Sequence, residues 1–394
     1  MKLLYIHQYF KFPDQTGGTR SYDLSTSFIK KGIDVVVISS NPDKTDSSEK
    51  WSYVERDGIK LYMLNCEYNN RMSFYRRIYA FLYFMWHATT KAINVKCDVV
   101  LATSTPLTIA IPAMVKRLVD KTPYVFEVRD VWPDVPIRMG YFKNSLVKKL
   151  LYWFEKRVYK SAHWVVPLSD GMKDNIVERM DFAEKMTVIP NISEINRFQF
   201  VDSAEQQNAN TKSIVYAGTM GDVNGLSYLV DLAAATIKLD KTICFEIYGK
   251  GKQEEELRRY AESCGVLNNN LFFRGSVSKA ELPGIYQRAT MGSSFVIDNP
   301  ILWDNSANKF FDTLAAAKPI LINHEGWQAD VIRKYQMGYV LPPVVNDQMA
   351  KDFVAYINNA ELLATHATNA FKVAKDEYSL EVAVKKYINI FNRL

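Results

Sequence analysis

Cysteine is scarce in this 394-residue chain, and the four present, Cys66, Cys97, Cys244 and Cys264, form no CxxC pair and no Cys/His cluster. That spacing excludes a disulfide framework and a structural zinc, and it fits a reducing cytoplasm. Long apolar runs are missing too. The longest, Ile78 to Trp86, is half a membrane span, and MKLLYIHQYF has too short an apolar stretch, and no small-residue cleavage site, for a signal peptide. The chain is therefore expected not to cross a bilayer. Charge of one sign is also in short supply: 49 Lys and Arg against 43 Asp and Glu leave a formal +6. That excess is too small for a surface that tracks a nucleic-acid backbone, and no reader motif is present, so no nucleic-acid partner is expected. His7, His87, His163 and His324 are scattered, and no Ser/His/Asp or Cys/His arrangement follows from their spacing, so nucleophilic hydrolysis is not indicated. GxGxxG is absent. Gly249-Lys250-Gly251 comes nearest but lacks the third glycine and the acidic residue about 20 positions on, which argues against a nicotinamide cofactor.

What is present is a chain 48% hydrophobic and 23% charged, too long for one ordinary core, so two folded domains are expected. Short β-branched runs alternate with amphipathic stretches: KLLYIHQY, DLSTSFIKKG and DVVVISS, then DVVLATS and PYVFEVRD. This is the βαβ rhythm of an α/β fold with a parallel sheet covered by helices. After a polar break the rhythm resumes through SIVYAGTMG, ICFEIYGKG, LFFRG, GSSFVI and PILIN. Each half opens with a strand that runs into glycines, Gly17 and Gly18 in the first and Gly218 and Gly221 in the second, so twin Rossmann-like domains facing across a cleft are expected. The boundaries follow: residues 1–199 as the first domain, 200–212 as the linker, 213–378 as the second domain, and 379–394 as a helix that packs back on the first.

The segment SANKFFDTLAAAKPI, Ser306 to Ile320, reads as a helix whose start suits the diphosphate and ribose of a nucleotide sugar. Ser306 is the expected N-cap, and the first-turn amides with the helix dipole favour an anion. Lys309 and Asp312, three apart, project from one side, giving a cation for phosphate and a carboxylate for two ribose hydroxyls. A DxD pair, the usual handle for a divalent cation on such a ligand, is absent, and no metal is expected.

Five stretches in this order, HQYFKFPDQTGGTRSYDLS, FEVRDVWPD, YAGTMGDVNGL, FRGSVSKAELPGIYQRA and SANKFFDTLAAAKPIL, carry a family likeness. Over nearly its whole length the chain resembles the retaining GT-B glycosyltransferases of family 4, in particular bacterial O-antigen and capsule transferases such as the L-fucosamine transferases. The resemblance implies that Gly17 and Gly18 lie against the donor diphosphate and sugar, with Arg20 nearby. It places Arg129 and Asp130 at a strand end, orienting the acceptor hydroxyl or donor sugar, with a structural ion pair as the alternative. The family's two glutamates separated by seven residues fall on Asp304 and Asp312, each one methylene shorter. By resemblance Asp312 takes the ribose, Asp304 lies near the sugar or phosphate, and Lys309 takes the phosphate. Where many members carry Arg and Lys for the pyrophosphate, this chain has Thr219 and Asn224. Backbone amides of the Gly218 to Gly221 turn are the expected substitute, as an anion nest, with charge from Lys309, Arg274 or Arg20. Gly249 and Asn308 complete the donor candidates.

For the acceptor, SLVKKLLYWFEKRVYK sets Val147, Leu150, Leu151, Phe154 and Val158 on an expected core stripe, and Lys149, Trp153, Lys156 and Lys160 on the other side. A tryptophan among lysines suits a helix resting on an anionic bilayer, and RMSFYRRIYAFLYFMW, with Arg71, Arg76 and Arg77, is a similar mixture. Ordinary solvated faces are the alternative. The function this implies is metal-independent transfer of a hexose or N-acetylated deoxyhexosamine, with retention, from a UDP-linked donor to a polyprenyl-diphosphate-linked saccharide. It would take place in the cytoplasm or on the inner face of the plasma membrane. Rival readings are a sugar-nucleotide epimerase of the same fold and a silent nucleotide-sugar-binding partner.

Overall fold

The computed structural model describes residues 1–42, 49–68, 72–180, 184–198 and 211–394. Most of the expected linker, and Arg71, lie outside the described residues. The chain divides into two compact units, one of Met1–Phe12, Thr19–Pro190 and Ala383–Leu394, the other of Pro13–Gly18 and Asn191–Val382.

The first unit is built on β1 (Lys2–Ile6), β2 (Asp34–Asn41), β3 (Trp51–Arg56), β4 (Ile59–Asn65), β5 (Val99–Thr103), β6 (Tyr124–Val128) and β7 (Trp164–Pro167). They form a seven-stranded sheet in the order β3-β4-β2-β1-β5-β6-β7, parallel except where β3 runs against β4. β1, β5 and β6 are nearly continuous Val, Leu, Ile and aromatic residues because both faces are covered. One face packs on helix Phe74–Asn94 through Ala80, Phe84, Ala88 and Ala92. Within this unit the C-terminal helix sets Tyr387 and Phe391 against Phe28, with ring centroids 5.9 and 5.6 Å apart.

The second unit uses β8 (Lys212–Ala217), β9 (Ile243–Tyr248), β10 (Leu271–Gly275), β11 (Met291–Ser294), β12 (Ile320–Ile322) and β13 (Gly338–Val340). Their order is β10-β9-β8-β11-β12-β13, with every pairing parallel. Strand order therefore reverses between β8 and β11, the place where open α/β sheets leave a crevice at their carboxyl ends.

One helix departs from expectation. In Ser145–Ser161 the C-terminal half is anchored by Glu155, Val158 and Tyr159, all buried, with Glu155 held bidentately by Arg179 at 2.6 and 2.9 Å. The expected core stripe holds only at Val158. Leu151 and Phe154 are half-buried, while Val147 and Leu150 join Leu146 and Trp153 at the surface. The N-terminal half of this helix stands clear of the core, so among the described residues its apolar stripe stays at the surface.

Candidate donor site

The second unit contains a cavity of about 450 Å³ at the carboxyl ends of its strands. Its walls are the residues that follow β8 (Gly218, Thr219), β9 (Gly249, Lys250) and β10 (Ser276, Val277), the start of helix Asn308–Ala315, and the Thr16–Gly18 segment. Of the candidates, Gly17, Gly18, Gly218, Thr219, Gly249, Asn308, Lys309 and Asp312 come together here.

Helix Asn308–Ala315 is fixed by its apolar side. Phe310 and Phe311 are fully buried against Trp327 and Tyr378, contributing about 1.5–3 kcal/mol each by area removed from water. It stops where Ala317 turns left-handed (φ 53°) just ahead of Pro319. Its start differs from expectation. Ala307, not Ser306, is the cap residue, and its methyl side chain makes no cap bond. Ser306 is instead engaged with Asn191, whose backbone amide donates to Ser306 Oγ at 3.1 Å and whose side-chain amide donates to the Ser306 carbonyl. The Phe310 amide donates to the Ala307 carbonyl at 3.1 Å, while Asn308 and Lys309 ahead of it line the cavity, where the positive end of the helix dipole favours an anion.

Lys309 extends from this turn along the bare α-carbon of Gly218, and its Nζ sits 4.9 Å from the centroid of the Tyr216 ring. Burial pushes its ammonium down to about 8, against the pull of Asp312 in the other direction. Among the described residues no carboxylate bonds it. Asp312, one turn on, is buried and accepts two hydrogen bonds from Lys279 Nζ at 2.5 Å each. Lys250 adds a third ammonium to the cavity wall. Three lysines and one aspartate therefore line a space that the sequence seemed to leave short of charge on its glycine turn.

The glycine turn is not the open nest that was expected. Gly218 N–H donates to the Tyr248 carbonyl (2.8 Å), Met220 N–H to the Lys250 carbonyl (3.1 Å) and Gly221 N–H to Asn224 Oδ1 (3.3 Å). These bonds tie the ends of β8 and β9 together, and among the described residues the Thr219 amide alone in that stretch lacks a protein acceptor. Gly249 is demanded by the same approach: its φ is +148°, and a Cβ there would lie 1.9 Å from the Gly218 carbonyl oxygen.

Three candidates fall elsewhere. Arg20 is buried inside the first unit, where its guanidinium donates to Glu127 at 3.0 Å, to the carbonyls of Pro190 and Ile189 at 2.6 and 3.0 Å, and to Tyr387 Oη at 3.3 Å. Four of its five N–H donors are engaged inside this unit, and it is not among the residues that line the cavity. Arg274 lies beside Glu246, donating at 2.9 Å, because the residue after β10's buried face points to the surface of the sheet edge. Asp304 sits in the turn before the helix and is not part of the cavity lining.

In the first unit, Arg129 and Asp130 stand at the end of β6, as expected, yet they form no ion pair with each other. Arg129 N–H donates to Ser104 Oγ (2.9 Å), its guanidinium lies 3.5 Å from His7 Nε2, and Asp130 accepts from Thr105 Oγ1 at 2.6 Å. Burial, reinforced by the charge of Arg129, pushes His7 down to about 3, so its imidazole stays neutral beside the cation. Nearby, burial works to raise the Glu127 carboxyl, but Arg20 and Arg129 outweigh it and hold the group at about 2.

Lys250 and Lys279 were not anticipated. Lys279 carries little signal: it lies in the turn before helix Leu282–Arg288, where the Ser278 amide and hydroxyl both donate to Glu281 at 2.7 Å. No group of three or more His, Cys, Asp or Glu that would suit a metal occurs among the described residues.

Compared with known proteins, residues 17–197 match the family described as Glycosyltransferase Family 4, and residues 198–373 match Glycosyl transferases group 1. A putative colanic acid biosynthesis glycosyl transferase WcaI of Escherichia coli K12 is 25% identical over 281 residues, 67% of this chain and 66% of that protein. A poly(ribitol-phosphate) alpha-N-acetylglucosaminyltransferase of Staphylococcus aureus is 21% identical over 257 residues, 64% of this chain and 47% of that protein. The matched region thus spans between about half and two thirds of these curated relatives. The crystal structure of Anabaena Alr3699/HepE in complex with UDP and glucose superposes with a TM-score of 0.73 at 14% identity, covering 100% of both chains.

Proposed function

Because the chain belongs to glycosyltransferase family 4 and has the GT-B fold, we propose that it moves a sugar from a UDP-linked donor to a polyprenyl-diphosphate-linked saccharide, with retention, in the synthesis of a cell-surface glycan. The observation that carries the donor half is the cavity in which the Lys309 side chain and the start of its helix converge beside Gly218. In this reading the diphosphate lies over Gly218 and Thr219, its charge met by Lys309, Lys250 and the first-turn amides. Asp312 takes the ribose hydroxyls, and Gly17 and Gly18 let the chain come close to the phosphates. As the glycosidic bond breaks, negative charge grows on the leaving diphosphate, and these preset donors stabilise it most when it is largest. The same leaving phosphate takes the acceptor's proton, so neither a protein nucleophile nor a metal ion is assigned a step. Arg129 and Asp130 are the acceptor-side candidates, with Asp304 the remaining one near the donor helix. The UDP of the Anabaena structure, and relatives that are named for colanic acid biosynthesis and for transfer of N-acetylglucosamine to poly(ribitol-phosphate), support the choice of donor and pathway class.

Peripheral membrane contact belongs to this proposal. Tyr75, Tyr79, Leu82 and Trp86 form an exposed stripe on helix Phe74–Asn94, opposite its buried alanines, with Arg76 beside it. Leu146, Leu150 and Trp153 are 74%, 60% and 56% exposed on helix Ser145–Ser161, among Lys149, Lys156 and Lys160. Apolar rings flanked by lysines suit the interface of an anionic bilayer, where a lipid-linked acceptor resides. No helix among the described residues is long and apolar enough to cross a membrane.

The test is a thermal-shift panel of nucleoside diphosphates and their sugars, followed by transfer to a lipid-linked acceptor and determination of the product's anomeric configuration. A ligand at 100 times its Kd adds about 2.7 kcal/mol to the folded state, an easily read rise in Tm. A UDP-sugar is expected to give that rise and a retained linkage in the presence of a metal chelator. Absence of a shift with every uridine and guanosine diphosphate compound would overturn the donor reading.

A further inference from the structure

Lys279 lies in the stretch FRGSVSKAELPGIYQRA but has been given no role so far, and it lines the donor cavity beside Lys309. Its backbone amide donates to the Gln15 carbonyl at 3.2 Å, and the next amide, Ala280, donates to the Pro13 carbonyl at 2.9 Å. Those two bonds fasten the segment that brings Gly17 and Gly18 to the cavity. Its side chain runs the other way, 7% exposed, and gives two of its three ammonium protons to the two oxygens of Asp312. The third proton has no acceptor among the described residues, and the side chain lines the cavity.

A carboxylate offers about four lone-pair directions, so two are left on Asp312 after Lys279 has taken its share. Two free directions match the two hydroxyls of a ribose. The lysine also settles which rotamer those lone pairs adopt, a task that matters more for the short aspartate than it would for a glutamate reaching further into the cavity. Resting on the donor reading above, we infer that Lys279 is a positioning residue of the donor site, which orients Asp312 for a vicinal diol and offers its last proton to the same nucleotide. It thereby makes the site selective for ribonucleoside diphosphates over those lacking the 2′- and 3′-hydroxyls.

The experiment measures calorimetric affinities of UDP and 2′,3′-dideoxy-UDP for the full chain, its Lys279→Met variant and its Lys279→Arg variant, with Tm recorded for each. The wild type is expected to bind UDP at least about tenfold more tightly than the dideoxy analogue, the size of a hydrogen bond to a charged group. In Lys279→Met, UDP binding is expected to weaken about tenfold or more while the analogue changes little, so the ratio closes toward one, and the KM for the UDP-sugar rises more than kcat falls. A methionine variant that keeps the wild-type ratio, whatever its Tm, would overturn the inference and leave Lys279 as a structural ion-pair partner. If the methionine variant does not fold, Lys279→Arg carries the test, since it keeps the charge but replaces the compact ammonium with a longer, planar fork that turns the carboxylate differently. A narrowed ratio supports the role, and an unchanged one overturns it. A wild type that binds UDP without distinguishing the analogue would overturn this inference alone, whereas one that binds neither nucleotide would sink the donor reading with it.

Discussion

The Lys309 side chain lies so close to Gly218 that a methyl group on that α-carbon would come within 3.1 Å of both Cδ and Nζ. The atoms in the way are the flexible end of a lysine, which can move aside. Gly218→Ala is therefore expected to cost less than about 1 kcal/mol of stability, while displacing the ammonium and weakening UDP binding about tenfold. Gly249→Ala should do the reverse, since its methyl would strike the Gly218 backbone at 1.9 Å. An overpacking penalty of about 1–3 kcal/mol or more is expected there. Denaturant melts and nucleotide titrations of the two variants check the contrast.

Lys309 also gives the site a pH signature. Its ammonium sits at about 8 in the empty cavity against an ordinary 10.5, so between those values the unfolded chain holds a proton that the folded chain has released. Stability of the ligand-free protein from this group must then rise with pH from about 8 to 10.5. Affinity for UDP has the opposite slope: a bound diphosphate favours the charged ammonium, so binding takes up a proton and weakens as pH climbs past about 8. Titrations in buffers of different ionisation enthalpy read the proton uptake directly, and Lys309→Ala should abolish it while lowering turnover far more than stability.

The Arg20 and Glu127 side chains are 2% and 0% exposed and 2.9 Å apart. Arg20→Ala leaves a buried carboxylate without its main partner, and breaking such a pair costs about 3–5 kcal/mol. The expected outcome is a large loss of stability in urea melts, with UDP affinity unchanged at temperatures where the variant stays folded. Loss of affinity at unchanged stability would return Arg20 to the donor site.

Binding to vesicles should depend on both charge and aromatic insertion. Lys149→Glu together with Lys156→Glu is expected to reduce sedimentation with anionic vesicles several-fold at low salt, an effect that fades near 0.5 M salt as the Debye length shrinks to a few ångströms. Trp153→Ser should weaken binding at both salt levels. Equal binding to neutral and anionic vesicles would remove the charge component.

The parts of the fold that could be read in advance were those whose signal is local. β1, β2, β5, β6, β8, β9, β10 and β12 coincide with expected apolar runs, while β11, Met291–Ser294, takes only the small-residue start of GSSFVI. β13 escaped because Gly338, Tyr339 and Val340 are too few to stand out, and β3 because its pattern of partly exposed residues lacks a clean alternation. The same rule governs the site. Lys309 and Asp312 are neighbours on one helical face and were legible from spacing. Lys279 meets Asp312 across 33 residues and Arg20 meets Glu127 across 107, so one cation was missed and the other was read without its carboxylate partner. A sequence displays a charge but not the partner that neutralises it.

Pro13–Gly18 leaves the first unit after Phe12, joins the second, and hands the chain back at Thr19. A gene dissected at the polar break would thus separate six residues from the half they complete. The downstream fragment would keep its whole sheet but lose the acceptors of the Lys279 and Ala280 amides and one wall of its ligand chamber. Intact secondary structure in such a fragment would coexist with impaired nucleotide capture, and supplying the missing hexapeptide in trans would be the natural complementation.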